Sequence, residues 1–215
     1  MTAAATLSPD RDCALCPRLV RFREVQRAAY PDWHNAPVPS FGALDARLLI
    51  VGLAPGLKGA NRTGRPFTGD YAGDLLYATL KKFGLARGDY AARPDDGLTL
   101  TDCRITNAAR CVPPENKPLP EEIAACRGYL TAEIAAMKEL KAIVALGQIA
   151  HGAILSALQQ KKSTYAFSHG AIHTLPNALM LADSYHCSRY NTNTGRLTTK
   201  MFEAVFAALR ARLDA

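Results

Sequence analysis

No apolar run in the chain approaches the roughly 18–20 residues that a helix needs to cross a bilayer. The N-terminal stretch MTAAATLSPDRDCALC lacks a basic segment followed by an apolar one, so no secretion signal is legible and a cytoplasmic protein is expected. Repeats and low-complexity tracts are missing too. Acids are scarce beside bases, 19 against 26, which leaves a net charge of +7 and a pI near 9.2. That excess favours an anionic partner such as nucleic acid and says nothing about fold. What is present is ordinary for a globular chain. Of 215 residues, 48% are hydrophobic and 21% charged, enough for a sizeable core in one domain spanning residues 1–215.

The apolar runs are short and alternate with helical patterns. Strand candidates are Arg47 to Leu53, Thr99 to Ala109, Ala142 to Gly147 and Ala178 to Tyr185, bounded by Gly, Asn or Pro. Near-continuous apolar runs fit strands covered on both faces, as in a parallel sheet. Gly73 to Gly84 carries Leu76, Leu80 and Phe83 at helical spacing and ends on glycine. Pro120 to Leu140, Gly147 to Gln160 and Leu197 to Leu213 also read as helices. Strand followed by helix predicts right-handed crossovers and a three-layer α/β/α domain around a mostly parallel, four-stranded sheet. The segment from Arg18 to Gly42, which ends in PDWHNAPVPSFG, is expected to wrap the surface. Ligands of such sheets sit at the carboxyl ends of the strands. Four polar loops leave those ends, led by Gly52 to Asp70 and Ser184 to Arg196.

Cysteines are few but patterned. Cys13 and Cys16 form CALC, and Cys111 and Cys126 form a second pair further on. A Cys-x-x-Cys turn aims two sulfurs at one metal, and a second pair completes four ligands; both zinc and an iron–sulfur cluster accept such a set. A thioredoxin-like redox pair is the weaker reading, because CALC precedes the first strand instead of following one. Cys103 and Cys187 read as small buried hydrophobes.

Two nucleotide-binding patterns are also missing. The loop GLAPGLKGANRTGRPFTGD, Gly52 to Asp70, is rich in glycine but contains neither the Gly-Lys-Ser/Thr end of a phosphate-binding loop nor Gly-x-Gly-x-x-Gly. Gly52, Pro55 and Gly56 give it a sharp turn with exposed backbone amides, followed by the polar and basic Asn61, Arg62 and Arg65, an aromatic at Phe67 and a carboxylate at Asp70. Those groups suit a flat polar heterocycle with a water beside it. The plainer alternative is a Phe67 that anchors the loop in the core and an Asp70 that caps the next helix.

Taken with CALC, ARCVPPENKP and SYHCSRYNTNTGRLT, this loop closely resembles the iron–sulfur uracil-DNA glycosylases. The NRTGRPFTGD string points to their type B, or family 5, branch. The match runs from Cys13 to about Phe206, with four motifs in order. The resemblance implies the fold of that family and a [4Fe–4S] cluster on Cys13, Cys16, Cys111 and Cys126. It implies hydrolysis of the N-glycosidic bond of uracil in double-stranded DNA, by a bacterial or archaeal monomer. Hypoxanthine and xanthine are further expected substrates. By the same likeness, Phe67 stacks on the flipped base, Asp70 positions water, and His186 bonds the departing base. Asn116 lies near the site, and Gly52, Ala54, Gly56 and Asn107 contact the base edge. Arg62, Arg65, Ser188, Arg189 and Asn191 approach DNA. Tyr190 and Cys187 depart from the family pattern, and Asp74 is a second acid that could be mistaken for the catalytic one. The competing expectation is a metal-stapled DNA-binding module without turnover.

Overall fold

The computed structural model describes residues 7–214; the first six residues of the stretch read above for an export signal lie outside them, as does Ala215. Among the described residues the strands are β1 (Leu48–Gly52), β2 (Ala86–Arg87), β3 (Thr99–Leu100), β4 (Cys103–Asn107), β5 (Ala142–Leu146), β6 (Ile172–Thr174) and β7 (Met180–Ser184). The helices are α1 (Pro17–Ala29), α2 (Ala60–Thr63), α3 (Tyr71–Lys82), α4 (Pro120–Ala136), α5 (Gln148–Ala157), α6 (Arg189–Asn193) and α7 (Thr199–Leu213). The central sheet has five strands in the order β4-β1-β5-β7-β6. Its first four are mutually parallel, and β6 joins the edge antiparallel to β7. The α/β expectation holds, and the strand number is corrected from four to five. The segment Ile172–Thr174 is too short and too interrupted by His173 to register as a strand, and only pairing with β7 makes it one.

β1 and β5 are buried at every position, as strands with helices on both faces must be. Alternate residues feed two cores. Leu48, Ile50 and Val144 pack on one face against α3 and α7, and Leu49, Val51 and Ile143 pack on the other against α4 and α5. Burying side chains of this kind stabilises by about 1.5–3 kcal/mol each before chain entropy is counted.

The N-terminal third differs from its expectation. Residues 17–29 form a helix, started by Pro17 in its first turn. Its apolar face is thin, and the buried set Leu19, Arg23 and Gln26 is mostly polar. No apolar stripe betrays it in the sequence. The following stretch does not merely wrap the surface, since Ala36 and Val38 are buried. Phe41 makes an antiparallel bridge to Ile105, and Val38 N–H donates to the Arg110 carbonyl.

Two buried polar clusters fix the sheet's flanks. Glu133 of α4 is fully buried and takes Arg104 of β4 on one oxygen and Arg110 on the other, at 2.6 Å each. On the far side Asp183 of β7 accepts from His151 Nδ1 at 2.7 Å and from His173 Nε2 at 3.2 Å. His151 Nε2 lies 2.8 Å from the Tyr165 carbonyl. Both of its nitrogens face acceptors, so the protonated ring can donate to both. Burial opposes that charge, but the Asp183 bond and charge outweigh it and raise the pKa above its ordinary value. The folded state thus holds this proton more tightly than the unfolded chain does. The stabilisation is complete below about pH 6.5, the unfolded histidine value, and fades as pH rises through the higher folded value. Melting temperatures of the parent and of His151→Gln, measured between about pH 5 and pH 9, are expected to differ most at the acid end and to converge at the alkaline end.

Candidate active site

A cavity of about 800 Å³ opens at the carboxyl ends of β1 and β4. Its floor and walls come from the loop after β1, the first turn of α3, Asn107 at the end of β4, and the β7–α6 segment. Ala54, Gly56, Phe67, Asp70, Asn107, Asn116, His186, Ser188 and Arg189 all line it. Residues separated by more than a hundred positions in sequence are thereby brought to one space.

Phe67 is the most constrained of these. It is buried, 6% exposed, and its φ is +52°, a left-handed conformation that costs a bulky residue on the order of 1–3 kcal/mol. Two glycines make room for it. A Cβ on Gly52 would lie 2.6 Å from the Phe67 ring and 2.4 Å from Asn107 Oδ1, and one on Gly73 would lie 1.8 Å from the Phe67 carbonyl oxygen. The ring centroid stands 6.0 Å from that of His186.

Asp70 does two things at once. Its Oδ1 accepts from the Gly73 amide at 3.2 Å and caps α3. Its Oδ2 packs where a Cβ of Gly56 or Gly59 would be, at 2.8 Å and 2.3 Å, and the side chain borders the cavity. Burial raises the Asp70 pKa, the Gly73 amide opposes that rise, and the negative charge of Asp74 adds to it. Asp74 itself is exposed on α3 and does not border the cavity.

His186 borders the cavity and is pushed down to about 4 by burial, so the ring is neutral at physiological pH. Its backbone carbonyl accepts from Asn191 Nδ2 at 2.8 Å. Asn107 is 3% exposed, and its Oδ1 has no hydrogen-bond partner. A buried amide oxygen without a partner costs about 1–3 kcal/mol unless a ligand satisfies it. Asn116 also lines the cavity, with a φ of +57°.

Three expectations need correction. Arg65 is not free to meet DNA. It is 5% exposed, forms two 2.8 Å bonds to the Asp96 carboxylate, and lies over the rings of Phe41, Tyr77 and Tyr90. Loop position suggested exposure, and the acid partner thirty-one residues on was invisible. Gly52 is buried and does not line the cavity; its missing side chain is space for Phe67 and Asn107. Asn191 spends its amide on the His186 carbonyl instead of offering it outward. Arg62, by contrast, remains exposed on α2, and Arg189 is exposed with its guanidinium over the Tyr71 ring. Ser188 caps α6 by accepting from the Asn191 amide. Lys58 and Tyr71 also line the cavity; nothing in their spacing marked them.

The cysteines divide as their spacing suggested. Cys103 and Cys187 are buried in the core, and their thiols donate to the carbonyls of Leu85 and Ala72. Cys13, Cys16, Cys111 and Cys126 converge between α1 and α4, each free of any disulfide. Cys111 is pushed up to about 12 and Cys16 to about 11, by burial first and then by the neighbouring cysteines. Among the described residues no three of these sulfurs share a site within 4.8 Å. Buried Arg23 faces the group, with Nη1 3.9 Å from Cys111 Sγ, Nη2 on the Cys13 carbonyl, and Nε without a partner. Four thiol donors beside a buried cation fit an anionic, thiolate-bound metal group.

The uracil DNA glycosylase superfamily profile matches residues 39–210. The chain belongs to that superfamily. A type-5 uracil-DNA glycosylase of Thermus thermophilus is 47% identical over 196 residues, covering 88% of this chain and 89% of the relative. Its counterpart in Pyrobaculum aerophilum is 41% identical over 208 residues, covering 95% and 89%. A type-4 uracil-DNA glycosylase of Archaeoglobus fulgidus is 32% identical over 155 residues, 70% of each chain. Family and relatives agree with the resemblance read from the motifs, and the chain is an enzyme of the glycosylase class. No described helix is long and apolar enough to cross a membrane.

Two outcomes follow from the cavity's packing. Gly73→Ala forces a Cβ into a backbone oxygen and is expected to lower stability by at least the roughly 1–3 kcal/mol of an overpacked site, read as a shift in the denaturation midpoint. His186 ring resonances followed by NMR are expected to stay in the neutral form from about pH 8 down to about pH 5.

Proposed function

We propose that this chain removes uracil from DNA by hydrolysing its N-glycosidic bond, as its relatives' names describe. The reading is carried by one observation: an unpaired Asn107 amide oxygen, a neutral His186 ring and the Asp70 carboxylate border one cavity beside Phe67. The target base must leave the stack, at a cost of a few kcal/mol. The Phe67 face then replaces one stacked neighbour, and Asn107 offers its oxygen and amide to the base edge. As the bond to the sugar lengthens, negative charge grows on the base and positive charge on the sugar. A neutral histidine donates a hydrogen bond to the departing base oxygen without first needing a proton, which is stabilisation of a leaving group. The Asp70 carboxylate faces the positive sugar and orients the water whose oxygen bonds to the anomeric carbon. Base leaves as an anion, and the water's proton passes to the carboxylate or to solvent. Asn116 closes the rim, and Arg62, Ser188 and Arg189 meet phosphates, using the basic surplus. A cavity of this size also supports hypoxanthine and xanthine, which are larger than uracil.

Cys13, Cys16, Cys111 and Cys126 would hold a [4Fe–4S] cluster, whose contribution is structural: it ties the segment before α1 to the start of α4. Residues 1–215 would work as one domain, a cytoplasmic monomer on nucleoid DNA.

A cleavage assay on a duplex carrying uracil opposite guanine tests the reading. Abasic product is expected; tight binding without product would leave only a binding module. Asp70→Asn keeps a capping oxygen and should slow base release on the order of a hundredfold or more while duplex affinity changes little. Protein purified without oxygen is expected to be brown and to carry about four irons; a colourless, zinc-loaded protein overturns the cluster.

A further inference from the structure

We infer that Tyr90, backed by the Arg65–Asp96 pair, is a positioning device that holds Phe67 in its left-handed conformation as a preformed stacking face. The inference rests on the stacking role proposed for Phe67. A left-handed phenylalanine persists only where its surroundings over-determine it, and the bonds that do so can be named. The Tyr90 hydroxyl donates to the Phe67 carbonyl at 3.2 Å. The Tyr77 hydroxyl donates to the Pro66 carbonyl at 2.6 Å. Arg65 Nε donates to Thr68 Oγ1 at 2.7 Å. Consecutive residues on both sides of the ring are thus bonded to one buried unit. Burial pushes the Tyr90 phenol up to about 12, so it stays a donor across the working range.

Asp96 anchors that unit. Its carboxylate takes both Arg65 nitrogens and also accepts from the amides of Ala91 and Leu98. One acid therefore orders the turn that presents Tyr90 and grips the loop that carries Phe67. Arg65 lies within 6 Å of three ring centroids, Phe41 at 5.2 Å, Tyr77 at 5.5 Å and Tyr90 at 5.9 Å, which fixes the tyrosines that make the bonds. None of these groups borders the cavity; they act through Phe67.

A double-mutant cycle on uracil excision tests this. Tyr90→Phe removes one hydroxyl and leaves the ring packing on Arg65. It is expected to slow single-turnover excision roughly threefold to tenfold, with KM for the duplex unchanged and secondary structure intact. Phe67→Ala should slow excision more. In the Phe67→Ala background, Tyr90→Phe is expected to add nothing further, because the group it positions is gone. A purely structural role would lower stability and slow excision equally in both backgrounds, and that additivity would overturn the inference. A Tyr90→Phe enzyme at the parent rate, with Phe67→Ala impaired, overturns it as well. If Phe67→Ala itself keeps the parent rate, the stacking role fails instead, which a normal Tyr90→Phe rate alone would not indicate. Asp96→Asn, scored for excision by the folded fraction only, should mimic Tyr90→Phe.

Discussion

The cavity depends on how closely two backbones and one ring approach each other. Phe67 occupies the space that side chains on Gly52 and Gly73 would need. This single crowding sets the orientation of the ring, the path of the loop into α3, and the place of Asn107 at the end of β4. It also explains why a loop so rich in glycine is not a phosphate cradle. Some of its glycines exist to let side chains in, not to expose amides. Gly56 and Gly59 do for the Asp70 carboxylate what Gly52 does for Phe67. The loop is a mould, and Phe67 and Asp70 are what it is moulded around.

Much of this was legible in the sequence, and the illegible parts share a cause. Continuous apolar runs announced β1, β5 and the parallel sheet, because strands buried on both faces leave no other pattern. The α3 helix was readable from Leu76 and Leu80. What depends on tertiary pairing was not. Strand β6 exists through its hydrogen bonds to β7, and α1 exists through Arg23 and Gln26 packed inward, residues whose chemistry argues for the surface.

The site divides along the same line. Phe67, Asp70, Asn107 and His186, which sequence reasoning had singled out, do border one cavity. Arg65 was misjudged because charge in a loop reads as exposure, while its true partner Asp96 lies in a turn with no motif. Tyr90 gave no signal at all, since a tyrosine becomes meaningful only when its hydroxyl is seen against a particular carbonyl. Asp70 caps α3 through one oxygen while the other packs against Gly56 and Gly59 at the cavity's edge.

The edges of the sheet carry a last consequence. On one side Phe41 bridges to Ile105, so the backbone of β4 is partly covered. On the other the outermost strand, β6, is three residues long and runs against its neighbour. An unpaired strand is a template on which further chains can stack. With one margin overlaid and the other cut short, the sheet offers little for a second molecule to extend.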